Sequence, residues 1–393
     1  MQDTQQVYLR AMRVAHISDV HLGYRAYSRT DERGVNQREA DVLRAFRYAL
    51  RDALRAEPDL IVITGDLFHS VRPPNSSLVA AYRYLLDLQA QRKGAPLILL
   101  AGNHETPRMT ESGCILALFN HIPGVVSVYD QITHIELPQI DAAVLCIPSR
   151  GVGELEQRIL EPLPNYRWNL LLLHGILEGI TPFALERPVD RHKIVRDEWD
   201  YIALGDWHLY TEVAPNALYA GATEFTSSNL WEEAGKPKGW ILYDTATRTH
   251  EFRPIPTRKV YDLLPIDAAE LTADELNRAI ESRAQSIEDF DGAIVRQRIY
   301  NLLPELRSRI DGELVRELKM RALHYHLDPR PPRVGFRAGQ SASAEASEGE
   351  ERFTLADEWR MFAQNYLLPP DIDREAFIRL GSAYLEVGSS DAR

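Results

Sequence analysis

Side chains able to bind metal ions stand at five places where an apolar run ends. Asp19 and His21 follow Val14-Ala15-His16-Ile17-Ser18, and Asp66 follows Leu60-Ile61-Val62-Ile63-Thr64-Gly65. Asn103 and His104 follow Leu97-Ile98-Leu99-Leu100, and His174 follows Leu170-Leu171-Leu172-Leu173. Asp206 and His208 come after Tyr201-Ile202-Ala203-Leu204-Gly205. In an extended backbone, residues two apart point to one side, so Asp19 and His21 can face a single point. One such pair is equally consistent with a polar strand end; five together are a constellation. At four of the five a Gly adjoins the polar residue, which lets the chain turn sharply and a ligand approach closely. Carboxylate, amide and imidazole groups without thiolate favour manganese, iron or zinc over magnesium or calcium. So many ligands exceed what one ion takes and suit two ions sharing one carboxylate. Two ions about 3.5–4 Å apart can bind both the attacking and the leaving oxygen of a phosphoryl centre.

Such side chains converge only if strands and helices alternate. Val42, Ala45, Phe46, Ala49, Leu50 and Leu54 fall at helical spacing over 38–56, and Pro58 closes that helix. A second helix is predicted over 76–91. Strands are predicted at 60–64, 96–100, 144–148, 169–173, 201–204, 217–221 and 239–243, several of them apolar enough to be buried on both faces. Strand-helix alternation with polar residues at strand ends describes an α/β layered protein, whose ligands gather outside the carboxyl ends of the strands. Residues 12–255 are therefore expected to form a sandwich of two mixed sheets flanked by helices. From 256 to 334 a small α/β domain is expected, with strands at 260–266, 293–299 and 322–327. Its helices are placed at 308–319 and after a capping box made by Thr272 and Glu275. Residues 335–352, rich in Ala, Ser, Gly and Glu, are expected to be a disordered linker. The tail, 353–388, is expected to be helical, with stripes of Leu355, Trp359, Phe362, Tyr366 and of Phe377, Leu380, Tyr384.

The chain has 393 residues, enough for two or three domains. No run approaches a membrane span, and the polar start lacks a signal-peptide core, so a cytoplasmic protein is expected. Residues 1–11, ahead of Met12, are expected to be dispensable. Cys114 and Cys146 are too few for a disulfide framework. The net charge of -12 argues superficially against a nucleic-acid partner, but it is unevenly spread. From 341 to 393 eleven acidic residues face five arginines, whereas from 22 to 55 eight arginines face five acids.

The motifs Asp-x-His, Gly-Asp, Gly-Asn-His-Glu, His-Gly and Gly-x-x-His, in that order over 13–225, resemble the calcineurin-like metallophosphoesterases. Within that superfamily, Ile17-Ser18-Asp19-Val20-His21-Leu22-Gly23-Tyr24, Gly65-Asp66-Leu67-Phe68-His69 and Tyr219-Ala220-Gly221-Ala222-Thr223-Glu224 resemble DNA double-strand-break repair nucleases of the SbcD type. The resemblance implies that Asp19, His21 and His208 hold a first metal and that Asn103, His174 and Asp206 hold a second. Asp66 would bridge them, with manganese in both sites. It further implies that His104 contacts the scissile phosphate and protonates the leaving oxygen, while His69 positions a DNA end. The activity implied is exonuclease on duplex ends and endonuclease on single strands or hairpins, with the small domain as a DNA-guiding cap. It also implies a homodimer, associated with the nucleoid when on DNA, whose C-terminal helices bind an SbcC-type SMC-like ATPase.

One position departs from this pattern. The family has Gly-His-x-His where this chain has Gly205-Asp206-Trp207-His208. An Asp binds hard divalent ions but adds negative charge and shortens the reach. A small-molecule phosphodiesterase or phosphatase of the same superfamily therefore stays open, as does a catalytically weakened scaffold. Arg25, Arg29, Arg33 and Arg38 lie beside the first ligand loop, among Tyr24 and Tyr27, and are expected either to contact phosphate or to form a solvated face; Arg296 and Arg298 are a weaker case of the same kind. His16, His121, His134, His192 and His250 carry no motif and read as surface or packing residues. His324 and His326 alternate on a strand of the small domain.

Overall fold

The computed structural model describes residues 11–107, 113–181 and 188–332, together with Trp359, Ala363 and 373–380. β1 (Arg13–Ile17), β2 (Leu60–Thr64), β3 (Leu97–Leu100) and β4 (Val125–Val128) run parallel, with Ala15 opposite Ile61 and Ile63 opposite Leu99. A second sheet takes β5 (Thr133–Leu137), β6 (Ala142–Ile147), β7 (Trp168–His174), β8 (Tyr201–Gly205), β9 (Thr211–Ala214) and β10 (Ala217–Tyr219) in the order β5-β6-β7-β8-β10-β9. The chain then returns to the first sheet. There β11 (Gly239–Asp244) and β12 (Thr249–Pro254) complete the order β12-β11-β1-β2-β3-β4, β11 lying antiparallel to β1.

Period-two alternation splits each apolar run between two cores. Val14, Leu60, Val62, Leu170 and Leu172 face inward between the sheets. Ala15, Ile17, Ile61 and Ile63 face α1 (Gln37–Ala56) and α2 (Asn75–Arg92), which cover the first sheet. Asn36 caps α1 by accepting from the amides of Arg38 and Glu39, and Val42, Phe46, Ala49 and Ala53 lie on its sheet-facing stripe. Truncating a side chain such as Phe46, fully buried, costs about 3–5 kcal/mol. The expected two-sheet α/β sandwich is thus the observed one. The edge strands β4, β5, β9 and β12 were not expected. They are short or half-exposed, so neither a long apolar run nor a buried alternation marks them. A single turn, α3 (Arg191–Ile194), is capped by Asp190.

The small domain has its own core around Leu276, Ile280, Val295, Ile299, Leu318 and Tyr325. β13 (Val260–Asp262) and β14 (Ile266–Asp267) pair in succession along one edge of β15 (Ile294–Tyr300), and β16 (His324–Pro329) pairs along the other, all parallel. The single strand expected over 260–266 is broken ahead of Ile266 by Pro265, which has no N–H for the ladder. Thr272 and Glu275 form the expected capping box on α4 (Ala273–Gln285). The helix expected over 308–319 is instead a turn, α5 (Pro304–Arg307), and a later helix, α6 (Gly312–Arg321). Asp311 sets the start of α6 by accepting from the amides of Glu313 and Leu314.

A buried ionic joint ties this domain to the sandwich. Arg258 forms a two-pronged bond to Asp41, and its Nη1 donates to the Gly292 carbonyl at 2.6 Å. Arg38 donates to Asp41 (2.8 Å), to Glu224 (3.2 Å) and to the Phe225 carbonyl (2.7 Å). Around the joint Phe225 and Leu230 pack with Val260, Ile294 and Leu323.

Residues 337–393 form a separate unit. Within it Trp359 Nε1 donates to the Ile378 carbonyl at 3.1 Å and its ring lies 5.1 Å from Phe377. The linker expected at 335–352 and most of the tail expected at 353–388 lie outside the described residues, as do residues 1–10. Among the described residues no helix is long and apolar enough to cross a membrane.

Candidate metal centre

The candidate ligands occupy the carboxyl ends of β1, β2, β3, β7 and β8. Ladder bonds continue past the strands, from Asp19 N to Gly65 O, His21 N to Asp66 O and Leu22 N to Leu67 O, knitting the first two loops together. Asp19, His21, Asp66 and Asp206 all adopt left-handed φ values, of 47°, 56°, 51° and 88°. Such a conformation costs a non-glycine residue on the order of 1–3 kcal/mol and persists where surrounding structure imposes it. Here it turns consecutive strand ends toward one point.

Two groups form around Asp66. In the first, His208 Nε2 lies 3.1 Å from His21 Nε2 and 4.0 Å from Asp19 Oδ1. In the second, His174 Nε2 lies 3.6 Å from Asp66 Oδ1 and 3.7 Å from Asp206 Oδ1. The other Asp66 oxygen lies 3.6 Å from His21 Nε2. Ligand atoms of Asp19, His21 and His208, and of Asp19, Asp66 and His174, each lie within 4.8 Å of one another. Asp19 is steadied by the Ser18 hydroxyl at 2.5 Å and the Asp206 amide at 3.1 Å.

These residues fit divalent cations. His174 Nε2 and Asn103 Oδ1 are buried with no hydrogen-bond partner. His174 donates from Nδ1 to the Thr64 carbonyl at 2.8 Å, which leaves Nε2 as the ligand nitrogen. Burial and the surrounding imidazoles, His208 foremost, hold His21 well below its ordinary pKa, so it is neutral and able to coordinate. Burial, with Glu105 and Asp19 nearby, pushes the Asp66 carboxyl well up. Burial opposes a charge on His174, but Asp66, Asp206 and Asp19 outweigh it and raise that pKa to about 9. A pocket of carboxylates and facing lone pairs calls for positive charge, which bound cations would supply.

His104 stands beside this pair of groups. It donates from Nδ1 to the His69 carbonyl at 2.7 Å, and its Nε2 lies 3.9 Å from Asp66 Oδ2. His69 stacks on it at 5.0 Å and meets the edge of Tyr24 at 4.9 Å. His21, His69 and His104 form a further cluster of potential ligands. The structure does not bring the arginines there. Arg25 pairs with Glu39, Arg29 donates to the carbonyls of Lys319 and Met320, and Arg38 is fully buried in the domain joint. Arg296 and Arg298 both pair with Asp262.

The sequence reading gave Glu105 no role. Glu105 is fully buried and accepts from the amides of Asp66 (3.1 Å), Gly102 (3.0 Å) and Phe68 (2.5 Å), clamping the second and third ligand loops. Its signal was its place directly after His104. His16, read as surface or packing, is fully buried between the sheets and bonds Tyr201 Oη (2.7 Å) and Thr64 Oγ1 (2.9 Å). Desolvation lowers its pKa to about 3, so it stays neutral. His324 stacks on Tyr27 and His326 on Trp231, which accounts for both as packing residues.

Residues 12–217 match the family model of the calcineurin-like phosphoesterases. The DNA double-strand break repair proteins Mre11 of Methanocaldococcus jannaschii and Methanococcus maripaludis are 28% and 27% identical to this chain. Both alignments cover 59% of this chain, and 62% and 63% of the respective relatives. The protein of that name from Haloferax volcanii is 28% identical over 71% of this chain and 58% of its own length. The chain thus spans less than two thirds of the length of these relatives.

Proposed function

The chain belongs to the calcineurin-like phosphoesterases, and from that membership we propose that it is a metal-dependent DNA nuclease. The reading rests on one observation above the others: Asp66 presents one oxygen to each of two ligand groups, 3.6 Å from His21 and 3.6 Å from His174. Asp19, His21 and His208 would hold one divalent ion, Asn103, His174 and Asp206 the other, and Asp66 would serve both. Manganese suits this mixture of imidazole and oxygen donors. Ions bound there lower the pKa of water and neutralise charge on the phosphoryl oxygens.

The chain's own residues supply orientation and a proton. With its Nδ1 proton committed to the His69 carbonyl, His104 has only Nε2 left to carry a mobile proton, and its side chain is 36% exposed. We assign it the protonation of the leaving oxygen. His69 and Tyr24, packed against it, form the rim that would orient a strand end. Asp19, Asp66 and His174, at most 2% exposed, keep bulk water from the ligand side. The small domain, latched through Arg258, would guide duplex DNA to this rim. Cleavage of duplex ends and of single strands or hairpins, a homodimer, and a coiled-coil ATPase partner bound through the C-terminal unit belong to the same reading. The similarity to double-strand break repair proteins supports it.

The test uses manganese with labelled duplex DNA and, separately, a chromogenic phosphodiester. DNA cleavage by the native chain that Asp66→Ala abolishes supports the nuclease. Cleavage of the small ester alone would assign a small-molecule phosphodiesterase, and manganese-replete protein inert on both substrates would refute an enzyme.

A further inference from the structure

Behind His208, on the side away from the other ligands, lies a buried ion pair for which the proposed reaction has no role so far. Glu233 and Lys238 are 5% and 2% exposed. Glu233 Oε2 accepts from Lys238 Nζ at 2.6 Å, while Glu233 Oε1 lies 3.6 Å from His208 Nδ1. Lys238 Nζ also donates to the His208 carbonyl at 2.7 Å and sits 5.0 Å from the centre of the Phe225 ring. The Ala222 amide donates to that same carbonyl at 3.1 Å. His208 Nδ1 is itself buried and has no hydrogen-bond partner within ordinary reach.

This arrangement ties the His208 backbone carbonyl to Lys238 and places a carboxylate oxygen of Glu233 beside its ring. A buried pair stabilises a fold little when apolar residues could replace it. Its placement says more, because one carboxylate oxygen is aimed at the ring nitrogen opposite the one facing Asp19 and His21. A carboxylate there favours the proton on Nδ1, leaves Nε2 with its lone pair, and makes that nitrogen a stronger donor to a cation. Lys238 keeps Glu233 ionised and in place and cancels its charge.

We propose that Glu233, clamped by Lys238, is a positioning residue that sets the His208 tautomer and so the affinity of the first cation site. The second site, built on His174, already has its orienting group in the Thr64 carbonyl and does not depend on Glu233. The inference rests on the two-cation reading, and its test separates the two.

Manganese is titrated calorimetrically into the native chain, Glu233→Ala, the size-conserving Glu233→Gln and Asp66→Ala, with melting recorded in chelator. In parallel, imidazole nitrogen resonances assign the His208 tautomer in the metal-free proteins. The native chain should bind two manganese ions and hold its proton on Nδ1. Both Glu233 variants should weaken one of the two sites about 10–100-fold, leave the other unchanged, and shift the tautomer population toward Nε2–H. A lowered melting temperature with native affinities and an unmoved tautomer would make the pair merely structural and overturn the proposal. So would Glu233→Gln binding both ions as the native chain does, even where Glu233→Ala does not fold. If the native chain binds no manganese, the two-cation reading itself fails, and this inference with it.

Discussion

Asp66 turns its two carboxylate oxygens to different imidazoles: Oδ2 lies 3.6 Å from His21 Nε2 and Oδ1 lies 3.6 Å from His174 Nε2. His21 and His174 end strands in different sheets, so this carboxylate spans the two layers of the sandwich where their strand ends meet. In the proposed two-cation centre, losing it would remove a ligand from both sites at once. Asp66→Ala should bind less than one manganese ion per chain and lose on the order of 10³-fold or more in DNA cleavage, since several kcal/mol of charge stabilisation go with the ions. Elemental analysis after gel filtration, paired with the cleavage rate, checks both parts.

Gly102 offers a way to move the same carboxylate without deleting it. A Cβ added there would stand 2.0 Å from Asp66 Oδ1 and 2.6 Å from the Asp66 amide nitrogen. Gly102 is not in the left-handed region, so the strain of Gly102→Ala falls on Asp66 rather than on the local backbone. Manganese binding should weaken at both sites while circular dichroism stays native. Binding equal to the native chain would mean that the loop yields instead.

How much of this was legible in the sequence depends on what carries each residue. The candidate ligands could be read because each closes an apolar run, and a strand buried on both faces leaves its polar end few places to go. Glu233 could not be read as a site residue, and Glu105 only through its place after His104. Each acts on backbone amides or on a ring brought close only by the fold, and a loop position has no period to expose it. Among the arginines beside the first ligand loop, Arg38 misled for a related reason. Arg38 looks like a free cation in sequence, yet Asp41 and Glu224, the latter far along the chain, absorb its charge in the core. The edge strands went unseen because half-exposed segments carry little apolar signal.

Asp206 should tune metal preference. Its carboxylate lies 3.7 Å from His174 Nε2, where the family pattern has an imidazole. A third carboxylate beside Asp19 and Asp66 favours hard, oxygen-seeking cations. Asp206→His should therefore raise the ratio of manganese-supported to magnesium-supported cleavage. Parallel metal titrations of the cleavage rate read that ratio, and an unchanged or lower ratio would place Asp206 outside the ligand set.

The domain joint should break as a unit. Asp41 is fully buried between Arg38 and Arg258, so Arg258→Ala leaves it with one fewer cation and should cost about 3 kcal/mol in urea unfolding. Burial alone would raise the Asp41 pKa, but the Arg258 hydrogen bond and the charges of Arg258, Arg38 and Arg44 hold it below the ordinary 3.8. A depressed carboxyl pKa adds stability that is complete above the unfolded value and is lost as pH falls through the folded one. The stability difference between the native chain and Asp41→Asn should thus be flat above pH 3.8 and shrink below it. A difference that instead grew on acidification would contradict the assignment.

His104 should separate proton transfer from metal binding. Its Nε2 lies 3.9 Å from Asp66 Oδ2, and its Nδ1 donates to the His69 carbonyl, so in the proposed reaction it would face the leaving oxygen without completing either ligand group. His104→Gln should bind manganese as the native chain does and cleave DNA about 10²–10⁴-fold more slowly. The loss should shrink on a nitrophenyl phosphodiester, whose leaving oxygen needs no proton. Equal losses on both substrates would assign His104 to positioning the phosphate, and loss of a bound manganese ion would make it a ligand.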